Sequence, residues 1–509
     1  MIHSPSFAPD RSKVAWSCVV DDTPQIWSSI TPWLATAIEL AGIDPTRIHV
    51  HHACELRPEI AALCASLGVN TIAVAPFDAR SPHCNKIRQC ESDFADAGRI
   101  VLTDVDIAFA SRLPLDQIKG AVAGKMVDCP NPPIEVLDRI FVEAGISRPD
   151  VCGNVSWRSQ QGWVGFDSLP GNFNGGLYVI DAAQLPALGA RWTYWARWLL
   201  DRLPLLGRWR VHVDQVAFCL ALAESGLETD VLADTWNFPV HLPTAPGGEG
   251  EPMVLHHHGR LDAHMRLQPV AEPRARPAID RVNRAIERFQ RRYFDNRSFW
   301  NHRYAHHPEL GSGLGSRGDV LQLKQDLLAG LMPADDGLSV LDWGCGDLEV
   351  VRSLHWRDYV GVDTSTEALR MAREKRPDWL FATPAVFDVD DGQCRDVVLC
   401  LDVLIHQPTH AEYSALVRKL VALARRGVLV AGFDRDPGIR SHITYFHEPL
   451  GETLAALPGV SAVVPLVEYR DTTLFFVAIG VDGTDAVQDM LPVAAQGDPA
   501  SRVRRLLAV

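Results

Sequence analysis

The feature that most constrains this chain is a pattern that runs twice. Short apolar runs alternate with stretches of helical periodicity over residues 1–265. The alternation stops in a Pro-rich, highly charged segment, AEPRARPAIDRVNRAIERFQRRYFDN (271–296), and restarts near Gly337. Strand–helix alternation predicts an α/β domain with a largely parallel sheet. A pattern that stops and restarts predicts two of them, in keeping with 509 residues, a length at which a single core no longer grows. In the first series VAWSCVVDD (14–22), RIHVHHA (47–53), NTIAVAPF (70–77) and RIVLTDVDIAF (99–109) read as strands, and 30–42 and 58–68 as helices. In the second, 339–344, 359–363, 381–388, 396–402 and 427–433 read as strands, and 463–470 with 472–480 as a closing hairpin. The expected division is a first domain over 1–270, a helical connector over 271–310, a second domain over 311–482 and a loosely ordered tail over 483–509.

The second series carries a nucleotide-site pattern. LDWGCGD (341–347) follows an apolar run and precedes a helical stretch. Its glycines permit a tight turn and a close approach of backbone to ligand. Asp363 closes the run YVGVD, nineteen positions beyond Gly344, where an acid can accept hydrogens from two ribose hydroxyls. The turn is not GxGxxG, and no basic residue follows it to hold a pyrophosphate. This D-x-G-x-G-D with a later acid resembles class I S-adenosylmethionine-dependent methyltransferases, and most of 336–480 fits that family's order of elements, a Rossmann-like domain. The resemblance implies that Asp342, Gly344 and Gly346 lie along the methionine and ribose part of the cofactor. It further implies that Asp363 takes the ribose hydroxyls, that Asp388 contacts adenine, and that Leu401 and Asp402 lie near the reactive methyl. Methylating a sugar hydroxyl calls for a general base. His406, in DVLIHQ (402–407), follows the fourth apolar run on the side where such sheets bind ligands, and is the first candidate. His442 and His447 are the alternates. FWNHRYAHHPELGSGLGSRGD (299–319), with Arg303 and Arg317, resembles leader segments of bacterial sugar-methylating enzymes and is expected either to close over the cofactor or to serve as a plain linker.

In the first series Asp104 and Asp106 end an apolar run, and period-two spacing places both carboxylates on one side. Hard divalent ions prefer oxygen ligands, and such a pair can bridge a metal to a diphosphate. In SPHCNKIRQCESDFADAGRIVLTDVD (81–106) a basic helical segment leads into them. GNFNGGLYVI (171–180), VDQVAFCLAL (213–222), DTWNFPVH (234–241) and VLHHHGRLD (254–262) follow in order. The series resembles GT-A fold glycosyltransferases, particularly the glycogenin-like family 8 enzymes, over residues 14–265. The resemblance implies that Asp104, Asp106 and His256 hold manganese or magnesium against the diphosphate of a UDP- or GDP-linked sugar. Lys86 would meet the donor phosphates. Asn174, Gly175 and Gly176 would form a loop beneath the transferred sugar, and Asp214 and Gln215 would face the acceptor as catalytic residues. The triplet His256–His258 leaves the ligand assignment open by two residues, and GRLDAHMRL replaces the family's aromatic-rich segment.

Composition narrows the setting. A net charge of −14 and pI near 5.7 disfavour general binding to nucleic acid or anionic membrane; RVNRAIERFQRRYF (281–294) is one candidate for a local basic patch. Eleven scattered cysteines without a CxxC pair read as reduced cytosolic thiols. The opening residues lack the apolar core of a leader, and no apolar run spans a bilayer. The expectation is a cytoplasmic bifunctional transferase, peripheral to a membrane only through partners. It would move a sugar onto a glycan or glycolipid acceptor and methylate a sugar hydroxyl, in bacterial surface polysaccharide or glycolipid assembly. Two alternatives stay open: a methyltransferase with a non-catalytic sugar-binding first domain, and a non-catalytic glycan-binding scaffold.

Overall fold

A computed structural model describes residues 11–94, 96–159, 162–242, 249–332, 337–387, 393–438 and 441–480. The chain divides into two compact units, Met1–Phe289 and Gln290–Val509. The tail read as loosely ordered lies outside the described residues.

The first unit contains β1 (Val14–Val20), β2 (Ile48–His52), β3 (Asn70–Ala73), β4 (Arg99–Thr103), β5 (Ile107–Phe109) and β6 (Val122–Met126). It continues with β7 (Cys152–Ser159), β8 (Gly162–Ser168), β9 (Phe173–Asp181), β10 (Thr229–Leu232), β11 (Phe238–Pro239) and β12 (Val254–His256). Its helices are α1 (Pro24–Glu39), α2 (Pro58–Leu67), α3 (Ile134–Ala144), α4 (Leu185–Leu200) and α5 (Val213–Ser225), and α6 (Arg276–Tyr293) contains the division between units. Seven strands form one sheet in the order β10-β6-β9-β4-β1-β2-β3. β9 runs antiparallel to β4 and β6, and the other pairs are parallel. β4 is buried along its whole length, as a strand covered on both faces must be, and its sequence is correspondingly apolar rather than alternating. Beneath β9, Tyr178 stacks on Phe218 at 4.3 Å, with Trp192 packed edge-on against Tyr178. The strand order reverses between β1 and β4, so the ligand crevice of such a sheet opens at their carboxyl ends.

RIVLTDVDIAF, expected as one strand, is two. The Asp104 amide donates to the Gly176 carbonyl at 3.2 Å, one residue past the end of β4. The chain then turns and re-emerges as β5 in a second sheet, β11-β12-β5, where His256 stands opposite Ile107. The two acids therefore do not share one strand face. Asp104 terminates the large sheet and Asp106 begins the small one.

The second unit contains α7 (Asn296–His306), α8 (Gly318–Leu331), α9 (Thr366–Lys375), α10 (His410–Leu423) and α11 (Leu450–Ala455). Its strands are β13 (Ser339–Trp343), β14 (Asp358–Val362), β15 (Leu380–Ala382), β16 (Arg395–Leu401), β17 (Ala424–Gly432), β18 (Val460–Tyr469) and β19 (Thr472–Ile479). They form one sheet, β15-β14-β13-β16-β17-β19-β18, parallel except for β19, which runs antiparallel to both neighbours. The closing hairpin is as expected; β15 is shorter than expected, because Pro384 opens a 3-10 turn soon after it. Consecutive residues point to opposite faces. Val398, Val430 and Phe475 build one core cluster, and their neighbours Leu399, Leu429 and Phe476 build the other. Here the order reverses between β13 and β16. Both units are thus α/β.

Candidate active sites

In the first unit the crevice collects charge. Lys86, on a 3-10 segment (Pro82–Glu91), is 9% exposed; its Nζ lies 2.7 Å from Asp104 Oδ1 and 3.2 Å from Asp214 Oδ2. Burial works against the ammonium, but the two carboxylates hold its pKa well above the ordinary lysine value. Burial pushes the Asp104 carboxyl up, with Lys86 opposing. Gly175 and Gly176 make this packing possible. A Cβ at Gly175 would collide with Lys86 Nζ, and one at Gly176 would lie 2.6 Å from His256 Nδ1. Asn174, Gly175 and Gly176, expected as a loop, are early residues of β9; as strand they present backbone to Lys86 and His256. Asn174 donates to Asp128 at 2.8 Å and accepts from Asn237 Nδ2 and the Gly176 amide at 3.0 Å. Gln215 donates to the Asn131 carbonyl at 2.6 Å and to Asn172 at 3.1 Å, so it braces the framework.

Asp106 faces histidines. Its Oδ1 is 3.3 Å from His256 Nε2 and its Oδ2 is 3.8 Å from His258 Nδ1. Burial alone would raise the Asp106 carboxyl, yet His256 and its neighbours hold it well below the usual carboxylate range. Burial, then His256, push His258 down to about 2, so its ring is neutral with a free lone pair. Asp106, His256 and His258 each offer a ligand atom within 4.8 Å of the others, a fit to a divalent ion. Asp104 stands outside that group, on Lys86. His258 adopts φ +47°, a left-handed conformation costing roughly 1–2 kcal/mol. The signal for His258 was the triplet itself; which member turns inward depends on that backbone twist, which spacing does not reveal.

In the second unit the turn after β13 has Gly344 at φ +87° and Gly346 at +54°. Asp363 Oδ2 accepts the Gly346 amide at 2.9 Å and Oδ1 the Ser365 amide at 2.8 Å. Burial raises its carboxyl to about 6. A carboxylate has about four lone-pair sites, so with these backbone bonds and one from Thr364 it retains acceptor capacity for a ligand hydroxyl. Asp342 is turned to Tyr359, accepting its hydroxyl at 2.8 Å, and burial raises its carboxyl to about 7. Asp402, at φ +62°, accepts from Tyr469 Oη at 2.7 Å and from Lys324 Nζ at 2.6 Å. Leu401, at the end of β16, is half-buried. Asp388 lies outside the described residues.

The leader segment covers the turn. Tyr304 Oη and Ser312 Oγ, 2.8 Å apart, would each lie 2.6 Å from a Cβ at Gly346. Arg317 reaches Asp347 at 3.4 Å, while Arg303 lies over the Trp300 ring at 5.5 Å. Asn301 accepts from Ser365 Oγ at 2.8 Å and from the Glu367 amide at 3.3 Å, at the start of α9. Sequence reading missed Asn301, Tyr304, Lys324 and Tyr469, because nothing in their spacing ties them to the glycine turn. His406 follows β16, its Nδ1 donating to the Ile443 carbonyl at 2.8 Å. His442 is buried, and His447 Nε2 bonds the Gln407 carbonyl at 2.9 Å.

No protein-family model matches the chain. It is similar to trans-aconitate 2-methyltransferase of Azoarcus sp. (strain BH72), 33% identical over 148 residues, which is 28% of this chain. The chain spans 56% of that relative's length. Similar solved structures include magnesium protoporphyrin IX methyltransferase from Synechocystis PCC 6803 with bound SAH (TM-score 0.28, 22% identity, 38% of this chain and 100% of that one). They also include galactosyltransferase LgtC with donor and acceptor sugar analogs (TM-score 0.33, 14% identity, 55% and 95%). A third is apo mouse xyloside xylosyltransferase 1 (TM-score 0.32, 14% identity, 48% and 96%). No described helix is long and apolar enough to cross a membrane.

Proposed function

We propose that this is a bifunctional cytoplasmic transferase, with a glycosyltransferase domain over 1–270 and a methyltransferase domain over 311–482. The first moves a sugar from a nucleotide donor to a glycan or glycolipid acceptor. The second methylates a sugar hydroxyl from S-adenosylmethionine, in bacterial surface polysaccharide or glycolipid assembly. The observation that carries the first activity is the convergence of Lys86, Asp104, Asp106 and His256 where the chain passes from the large sheet to the small one. A manganese or magnesium ion bound there supplies charge stabilisation for a departing diphosphate. Lys86, buried and cationic, adds a fixed positive charge beside it, and Asp214 holds that lysine in place. In the second domain the glycine turn and Asp363 favour the cofactor, Tyr304 and the 310–317 loop keep water from it, and His406 takes the acceptor proton at Nε2.

Asp104→Asn combined with Asp106→Asn is expected to abolish sugar transfer and donor hydrolysis while leaving S-adenosylhomocysteine affinity intact. Donor turnover that survives a chelator in the wild-type chain would contradict metal dependence.

A further inference from the structure

The net charge of −14 conceals a local reversal. Residues 191–212, the later part of α4 and the turns that lead into α5, hold five arginines against one acid, Asp201. Asp201 is itself paired with Arg80 at 3.0 Å, and Arg191 with Glu224 at 3.4 Å. Arg197, Arg202, Arg208 and Arg210 are exposed and meet no carboxylate at ion-pair distance among the described residues. Two of them lie over indole rings, Arg202 on Trp198 at 4.6 Å and Arg208 on Trp209 at 4.5 Å. Apolar side chains stand among them: Tyr194 is 53% exposed and Val211 50%. Residues three and four apart share a helix face, and Tyr194, Arg197, Trp198, Asp201 and Arg202 line one surface cavity of about 410 Å³.

A patch of exposed aromatic and cationic side chains marks a contact surface. The stacking decides its chemistry. A saccharide platform needs a bare aromatic face, and guanidiniums lie over both indoles here. A stacked guanidinium keeps its N–H donors free in its own plane, the geometry that takes phosphate oxygens two at a time. Tryptophan and tyrosine suit the headgroup level of a bilayer, where one end is apolar and the other wet. We infer that the face running from Tyr194 to Val211 docks the first unit on an anionic lipid bilayer. The arginines meet headgroup phosphates, and Tyr194, Trp198 and Val211 enter the headgroup layer. This stretch leads directly into Asp214, which pairs with Lys86, so docking brings a lipid-borne acceptor toward the crevice. The inference goes beyond the proposed activity and stands without it.

The test sediments the full chain with vesicles of mixed phosphatidylglycerol and phosphatidylcholine, and with vesicles of phosphatidylcholine alone. Wild type should sediment with the anionic vesicles and far less with the neutral ones. It should be released as salt rises, because exposed charges are screened beyond about 10 Å at 0.1 M. Each cation near an anionic surface contributes about fivefold in affinity, so Arg202→Glu with Arg208→Glu should weaken binding at least about 25-fold. Arg352→Glu with Arg370→Glu changes the net charge equally in the other unit and should leave binding essentially unchanged. A native circular-dichroism spectrum and an unchanged melting temperature report that both variants are folded. Wild type that sediments with neither vesicle, or equally with both, would overturn the inference. So would a loss in the control pair as large as in the patch pair. Wild type that ignores vesicles but binds soluble oligogalacturonate would give the face to an acidic glycan and overturn it as well.

Discussion

At His406 the two ring nitrogens have different tasks. Nδ1 donates to the Ile443 carbonyl at 2.8 Å, which fixes the tautomer and leaves Nε2 as the acceptor. Burial lowers its pKa from the ordinary 6.5, so at neutral pH the ring is uncharged and able to take a proton. His406→Ala is expected to reduce methyl turnover by roughly 100–10,000-fold, the range of a general base, with cofactor affinity held by Asp363. The acidic limb of the wild-type pH–rate profile should fall below 6.5. The sign for stability is the same: the unfolded chain binds this proton first, so stability is full above about 6.5 and falls as pH drops toward the folded value. Near-normal turnover by the folded variant would pass the role to another group. If Asp402 took the proton instead, it would weaken its ion pair with Lys324.

At the scale of elements, Asn301 ties α7 to the start of α9 at the carboxyl end of the sheet. Asn301 Oδ1 receives the Ser365 hydroxyl and the Glu367 amide, while Ser365 caps α9 through the Ala368 amide. Asn301→Ala would leave buried donors unmet, at a cost of about 1–3 kcal/mol. S-adenosylhomocysteine should protect α7 amides from hydrogen exchange in wild type, and that protection should shrink in the variant. Equal exchange with and without ligand in wild type would detach α7 from the site. The strands of the second unit and β1 to β4 of the first were legible because each lies in a short, largely apolar run bounded by turn residues; β6, β9 and β10 were not read as strands. The break between β4 and β5 was not legible either, because RIVLTDVDIAF stays largely apolar across it; β4 pairs with β9 in the large sheet and β5 with β12 in the small one, both far along the chain. For the same reason Gly175 and Gly176 read as loop: their value lies in what approaches them, Lys86 and His256, which local sequence cannot show. The carboxylate of Asp363 and the glycine turn were legible together since both are set by one short crossover.

At the scale of the whole molecule, each unit has its own sheet and its own core clusters. Ligands should therefore stabilise them separately. Manganese with a nucleoside diphosphate should move one calorimetric transition and S-adenosylhomocysteine the other, each by about 2.7 kcal/mol at a hundredfold excess over Kd. A single transition shifted equally by either ligand would contradict this. The passage of the chain from the large sheet to the small one between Asp104 and Asp106 has a further consequence. Asp106 and His256 are remote along the chain, and the His257 amide bonds the Asp106 carbonyl at 2.9 Å, so folding gathers the donors before any ion arrives. An unfolded chain offers only scattered, entropically dear partners. On the proposed metal-dependent reading, a bound ion would act as a reserve of folding free energy, drawn on only by chains that have already closed the small sheet. A chelator would be felt first as lost cohesion in the first unit and only secondarily as lost chemistry.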